Sequence, residues 1–348
     1  MRRAVRVCGL LVSGLAWLAV ACALAAWLTL GLADRHWIGT LLEFGPRWVL
    51  LAPVGMVAIC AAFWRPRALL PLAAAGAIVS GPVMGLCLPV RTWWQGRPNG
   101  QLLRILTCNT RGGKADGRLS AMIEREQPDV VALQEWPGNQ SLPESLLGKA
   151  WNVVRIEGLV LASRWPIVEK ETMASPLGYK RTLGVRGELQ LKSGRVQLFV
   201  LHLSTPRDGL EAVLAHGWDG LPALEEVTVN REIEAAAVGK WLGTSTESLV
   251  VAGDFNMTPE SVIYQTQFGH LQNAFSVAGL GWGATKFTRY HSARIDHILA
   301  NAEWRFARCT IGPDVGSDHR PVIADLEYLR SPLPSSQIAE SPHRTTTP

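Results

Sequence analysis

The sequence predicts an α/β protein in which sheets with outer helices follow three membrane-spanning helices. Three observations carry that reading. Residues 7–33, 48–64 and 68–90 contain no charged side chain. After residue 101, short apolar runs alternate with turn residues and helical stretches. Carboxylates, amides and imidazoles stand at the ends of those runs, where a sheet would gather them.

A helix needs about 20 apolar residues to cross a hydrocarbon core of ~30 Å. The first and third runs meet that length. The second is shorter but is bounded by Trp48, Phe63 and Trp64, aromatic residues that suit the membrane interface. Arg65-Pro66-Arg67 leaves room only for a tight hairpin between the second and third spans. Arg2, Arg3 and Arg6 before the first span, with Arg65 and Arg67 in that hairpin, should stay cytoplasmic. The mixed-charge loop at 34–47 and everything after Arg91 then lie on the extracytoplasmic side. Reading the first run as a signal peptide cut near Ala23-Leu24-Ala25 leaves two spans and the same location for the C-terminal half. A lipoprotein box at Cys22 is disfavoured by Ala19, where Leu is usual. No Asp, Glu or Lys falls within a span, which argues against an ion or proton path and for an anchor.

Trp93-Trp94 reads as an interfacial anchor leading into a Gly-Arg-Pro-Asn-Gly linker. The expected division is therefore an anchor at 1–92, a linker at 93–100, a soluble domain at 101–330 and a disordered Pro/Ser/Thr-rich tail at 331–348. The six cysteines have no CxxC or Cys/His spacing, so neither a disulfide framework nor a thiolate metal site is expected. The net charge of +5 is spread without a dense Lys/Arg stripe, which gives no specific support for a nucleic-acid surface.

Strands are expected at 102–108, 130–133, 159–163, 186–191, 196–202, 249–252, 295–300 and 322–326, with hairpin chemistry at 192–195. Helices are expected at 117–126 and 221–242; in the second, Leu224, Val227, Ile233, Ala237, Val238 and Trp241 fall broadly on one side. Strands flanked by helices imply packed layers rather than a bundle. The glycine-containing segment 205–222, with Trp218, reads as a loop beside His202.

Asn109 closes the first strand, Glu135 follows the second, and His202 closes a later one. Gly253-Asp254-Phe255-Asn256 follows an apolar strand, Asp296 opens another, and Asp318-His319 precedes the last. Singly, each has a structural reading. Asn109 and Asp254-Phe255-Asn256 suit turns, Glu135 could emerge into solvent, His202 could be a core histidine, and Asp296 and Asp318-His319 could form ion pairs. Together they are the donor set of a divalent-cation hydrolase, since Mg²⁺ prefers hard oxygen ligands and neutralises phosphoryl charge.

In order and spacing, Gln134-Glu135, Gly253-Asp254-Phe255-Asn256, Arg294-Ile295-Asp296-His297 and Ser317-Asp318-His319-Arg320-Pro321 resemble the endonuclease/exonuclease/phosphatase superfamily. The resemblance covers about residues 102–326. It implies a four-layer α/β sandwich of two packed mixed sheets with the active site at one edge, and a hydrolase acting on phosphoester bonds. It further implies Mg²⁺, or Mn²⁺ in its place, held by Glu135 with Asn109 and Asp318. Asp254 would orient or deprotonate the attacking water and Asn256 would help place it. Asp296 would fix the tautomer of His319, and His202 would stabilise charge on the phosphoryl oxygens. Either Asp254 or His319 could be the base. No counterpart of the active-site Tyr of abasic-site endonucleases stands out, and Arg164 and Arg231 read as surface charge. The substrate would be a phospholipid head group or nucleic acid, the other partner the membrane, with no obligate protein partner. The competing function is an inactive membrane-tethered binding module; the complete set of polar residues argues against it.

Overall fold

A computed structural model of the chain describes residues 2–96, 98, 102–137, 151–191, 194–245, 248–289 and 291–329. The expected tail at 331–348 lies outside the described residues, as do Lys192 and Ser193 of the expected hairpin and much of the expected linker.

Among the described residues, three helices are long and apolar enough to cross a membrane: Arg6–Leu30, Arg47–Trp64 and Pro66–Val83. They meet through small and branched residues, among them Ala16, Ala61, Ala68 and Leu72 in one cluster and Ala23, Ala75 and Val79 in another. Leu10, Trp17, Ile59, Phe63 and Leu70 are exposed on their outer faces. Small residues between helices and large apolar ones outside is the pattern that lipid contact favours. The third apolar run continues to Val90, but its helix does not. Gly85 takes a left-handed φ of 76°, and the chain turns toward the C-terminal half. There Cys87 and Gly281 exchange backbone hydrogen bonds of 2.8 and 3.0 Å. All six cysteines are unpaired.

Among the described residues, the C-terminal half contains two six-stranded sheets. In chain order the strands are β1 (Leu102–Asn109), β2 (Val130–Gln134), β3 (Asn152–Ile156), β4 (Leu159–Ser163), β5 (Ile167–Ala174), β6 (Thr182–Leu191), β7 (Gly194–His202) and β8 (Ser248–Asp254). They continue with β9 (Gln272–Asn273), β10 (Lys286–Phe287), β11 (Ser292–Ala293), β12 (Asp296–Ala300), β13 (Trp304–Ile311) and β14 (Val322–Tyr328). One sheet runs β13-β14-β1-β2-β4-β3 and the other β5-β6-β7-β8-β12-β9, while β10 and β11 form a separate ribbon. Each large sheet holds one parallel pair, β1 with β2 and β7 with β8. Parallel neighbours need a crossover, supplied by helix Asp116–Glu126 in the first case and Leu221–Leu242 in the second.

Alternation along each strand sends one set of side chains between the sheets and the other outward. Ile105, Ala132 and Leu161 of one sheet share a core with Val185, Leu198, Val200, Val250 and Ile298 of the other. Outside, Leu106, Cys108, Val131 and Leu133 pack on Leu119, Met122 and Ile123 of the first crossover helix. Phe199, Leu201 and Val251 pack on Ala235, Val238, Trp241 and Leu242 of the second. The result is four layers, helix–sheet–sheet–helix. Segment 205–222 departs from expectation: it folds as helix Arg207–His216, a short turn at Gly217–Gly220 and the first residues of helix Leu221–Leu242. The two helices pack where Gly209 meets Leu224, so closely that a Cβ on Gly209 would lie 2.7 Å from the Leu224 Cα.

Candidate active site

The parallel pairs bring four strand ends to one edge. Asn109 lies opposite Gln134 across β1 and β2, and His202 lies opposite Asp254 across β7 and β8. Gly253 is required for the second juxtaposition: a Cβ there would sit 2.1 Å from the Leu201 carbonyl oxygen, within the neighbouring strand. The antiparallel pairing of β12 with β8 sets Asp296 opposite Asp254. Three non-glycine residues at this edge hold left-handed backbone, Arg111 (φ 49°), Glu135 (φ 54°) and Asn256 (φ 51°). Each such conformation costs on the order of 1–3 kcal/mol and persists only where the surroundings enforce it, which is characteristic of functional sites.

Asn109 joins the two sheets. Its Nδ2 donates to Glu135 Oε1 at 2.9 Å and to Asp254 Oδ2 at 3.0 Å, while its Oδ1 accepts from the Arg111 N–H. Asp254 Oδ1 accepts from the Asn256 N–H at 2.9 Å, and Asn256 Nδ2 donates to the Leu203 carbonyl. His202 Nε2 stands 3.7 Å from Glu135 Oε1 and 3.9 Å from Asp254 Oδ2. His319 places Nδ1 2.9 Å from Asp296 Oδ2 and Nε2 3.8 Å from Asp254 Oδ2. Asp254, Asp296 and His319 offer ligand-type atoms that all lie within 4.8 Å of one another. Glu135, His202, Asp254, Asn256 and His319 face a cleft of about 410 Å³.

Burial raises the pKa of Asp254, and the Asp296 charge adds to the shift against the opposing effects of His319, His202 and Asn109. Burial alone would lower His319, but attraction to Asp296 and Asp254 prevails and lifts it to about 9. His202 moves the other way: burial lowers it, with Asp254 only partly compensating. The neighbouring His297 belongs to the core. Its ring contacts Asn273 and the Met257 carbonyl, and burial pushes it down to about 3.

Of the residues anticipated from sequence, Asn109, Glu135, His202, Asp254, Asn256, Asp296 and His319 converge here. Asp318 is placed differently. Its Oδ2 lies 2.5 Å from Lys286 Nζ and 3.7 Å from Arg111 Nε, its Oδ1 is buried with no hydrogen-bond partner among the described residues, and like Glu135 it lies outside the tight Asp254–Asp296–His319 cluster. Burial would raise its pKa, but Lys286 above all holds it low. Its loop is nevertheless tied to the site, because Ser317 Oγ donates to the Asn109 carbonyl and accepts from the His319 N–H.

Residues 106–319, more than half of the chain, match the model of the Endonuclease/Exonuclease/phosphatase family. The chain belongs to that family. Among curated proteins no match to it is found. Solved structures similar in fold include a humanised TDP2 from D. rerio (14% identity, TM-score 0.51, 65% of this chain and 99% of that one). The catalytic domain of human Nocturnin with bound sulfate is also similar (16% identity, TM-score 0.50, 66% and 96%). So is D. rerio TDP2 with a single-strand DNA product (15% identity, TM-score 0.50, 65% and 99%).

Several residues around this family's cleft are not evident from sequence. Tyr179 and Arg181 line it, as do Arg207 and Asp208 of the helix beside His202. Arg181 donates to the His202 carbonyl at 2.7 Å and to Ser204 Oγ at 2.6 Å. Arg231, read from sequence as surface charge, is fully buried. It donates to the Asn256 carbonyl at 3.0 Å and pairs at 2.8 Å with Asp34, a residue of the N-terminal half. Nearby, Glu43 accepts from the Thr258 N–H and hydroxyl, and Asp34 accepts from Ser261 Oγ. The segment between the first two long apolar helices therefore braces the segment that carries Asp254 and Asn256. No hydrophobic periodicity could have disclosed this, because the pairs are separated by about two hundred residues.

Proposed function

We propose that this chain is a membrane-anchored, divalent-metal-dependent phosphoester hydrolase acting outside the cytoplasm. The observation that carries the reading is the convergence of Glu135, Asp254, His202 and the Asp296–His319 pair on one cleft, linked across the sheets by Asn109. The donor set suits a hard cation: Glu135 presents a carboxylate to the cleft, and Asp296 keeps a buried Oδ1 with no hydrogen-bond partner. Glu135 with Asn109 would hold Mg²⁺ or Mn²⁺, which would neutralise phosphoryl charge and orient the reacting groups. Asp318, whose Oδ2 pairs with Lys286 while its buried Oδ1 has no hydrogen-bond partner among the described residues, would complete the metal-side set.

The chain's own residues then divide the work. With its raised pKa, His319 is protonated at neutral pH; Nδ1–H is fixed by Asp296, and Nε2–H is free to donate to a phosphoryl oxygen. His202, its pKa lowered, is a neutral donor at the same charge. Asp254 is left as the acceptor for a proton from the attacking water, and burial makes it a stronger base than an ordinary carboxylate. Asn256 holds the base through its backbone N–H. Attack is in line on phosphorus, without a covalent enzyme intermediate.

Two features favour a membrane-borne substrate over nucleic acid. Trp218, beside the helix that walls the cleft, is 72% exposed and packs edge-on against Trp37 of the membrane half, with ring centroids 5.0 Å apart. Leu214 on that helix is 85% exposed. Exposed apolar side chains thus lie on the helix whose first residues line the cleft and where its end meets the N-terminal half. The full chain in mixed micelles should cleave phospholipid substrates in Mg²⁺ and lose that activity in EDTA. Plasmid DNA and a generic aryl phosphodiester, offered in parallel, should turn over more slowly. Preferred cleavage of DNA would reverse the substrate assignment, and no metal-dependent turnover of any of them would favour the inactive binding module.

The seam also supports the orientation. The loop between the first two spans and the domain after the third lie together, as three spans require, and the Arg65-Pro66-Arg67 turn falls between the second and third spans. A periplasmic-type phosphatase reporter fused after residue 330 should be active. A reporter working only in the cytoplasm would overturn the orientation.

A further inference from the structure

A second cavity, of about 730 Å³, lies between the two halves of the chain and away from the catalytic cleft. Its walls come from the residues just before the second span, the residue after the third, and the β10–β13 region. Arg47, Arg294, Arg308 and Arg320 line it, with Glu260 the one carboxylate among the described lining residues. The charges do not balance. Arg47 pairs with Glu260 at 3.1 Å, and Arg308 pairs with Asp325 and Glu126. Among the described residues, Arg294 and Arg320 form no ion pair.

Arg294 is only 7% exposed, and its side-chain contacts among the described residues are neutral: Cys87 Sγ at 3.1 Å and the Phe275 ring at 5.3 Å. Arg320 stacks at 4.1 Å over Phe287. A guanidinium withdrawn from water without a counter-charge is costly unless an anion completes the site. Guanidinium forks match the oxygens of a phosphate. The position of the cavity indicates which phosphate. Arg47 Nη1 donates to the Val83 carbonyl at 2.7 Å, tying together the outer ends of the second and third spans. Trp48, Leu280 and Trp282 line the same cavity and are exposed, as residues at the head-group level of a bilayer should be.

We propose that this cavity binds the phosphate of an anionic phospholipid, with Arg294 and Arg320 on the phosphate and the acyl chains leaving past Trp48 and Leu280. The inference rests on the membrane-anchor reading but not on catalysis. It would be a structural lipid site that seats the catalytic half on the bilayer, distinct from the substrate cleft.

The test uses the full chain purified in detergent with EDTA, so that turnover plays no part. Dioctanoyl phosphatidylglycerol is titrated while tryptophan fluorescence is followed, and stoichiometry is read by native mass spectrometry. Dioctanoyl phosphatidylcholine and inorganic phosphate serve as the comparison arms. One bound phosphatidylglycerol is expected, with Arg320→Gln weakening it roughly tenfold or more. Glu135→Ala, in the other cleft, should leave the affinity unchanged. Leu280→Asp changes an exposed residue at the mouth and should weaken binding even if Arg320→Gln folds poorly. Equal affinity for the two lipids, inorganic phosphate binding as tightly as the lipid, or unchanged affinity in both cavity variants would overturn the proposal. Loss of binding in Glu135→Ala would reassign the lipid to the catalytic cleft.

Discussion

Glu135→Ala and His319→Ala are each expected to lower kcat by roughly 10²–10⁴-fold, the range for removing a positioned acid–base group or an electrostatic stabiliser of the transition state. They should fail differently. Glu135 is a cleft carboxylate on strained backbone, so its loss should raise the Mg²⁺ concentration needed for activity while leaving the metal-free fold intact. His319 is buried and bonded to Asp296, so its loss also leaves that carboxylate without its imidazole partner. In the metal-free chain the His319 pKa rises from 6.5 to about 9. A folded value above the unfolded one means that the pair's contribution to stability is fully present below about pH 6.5 and is lost as pH rises through about 9. Denaturation midpoints in EDTA should therefore fall across that window in the parent chain and fall less in His319→Ala. Near-parental kcat in either variant would remove that residue from the site.

Much of this site was legible in the sequence because its residues sit beside strand ends that hydrophobic patterning locates. β4 and the helix at Leu221–Leu242 fall where the pattern put them, and the other expected strands differ mainly at their ends. β3, β5 and β13 were not legible. β5 is exposed along most of its length, and β3 is at best half-buried, so neither carries a clean alternation. β13 is broken by a bulge between Phe306 and Arg308, which shifts its register. The helix at Arg207–His216 was hidden by the glycines around it, Gly209 and Gly217. One permits its close packing and the other ends the helix with positive φ. Asp318 pairs with a residue that the sequence pattern did not locate. Adjacency to His319 placed it in the right loop, but its partner, Lys286, comes from a ribbon the pattern did not reveal.

The largest effect on stability is expected at a residue that sequence assigns to a loop of the anchor. Asp34→Ala would leave the guanidinium of Arg231, itself fully buried, without its counter-charge. Breaking a buried pair from one side costs about 3–5 kcal/mol, equivalent to a fall in Tm on the order of 10 °C for a domain of this size. Because Arg231 also holds the Asn256 carbonyl, kcat should fall with it. The double variant Asp34→Ala with Arg231→Met removes both charges and should recover most of the Tm, since an apolar replacement of a buried pair is often neutral. It should not recover kcat, because the bond to Asn256 is gone; recovery of both would reduce the pair to a structural contact. Glu43 supplies the contrast. Burial first, then the Asp34 charge, raises it from 4.5 to about 8, so it is largely neutral at pH 7 and Glu43→Gln should cost little there. With the folded value raised, the stability it contributes is complete below about pH 4.5 and is lost as pH rises through about 8. Glu43→Gln should remove that dependence. A catalytic half cut free at residue 101 loses Asp34 and Glu43 together. It should therefore be less stable than the full chain and less active per folded molecule, even on a soluble substrate that needs no membrane.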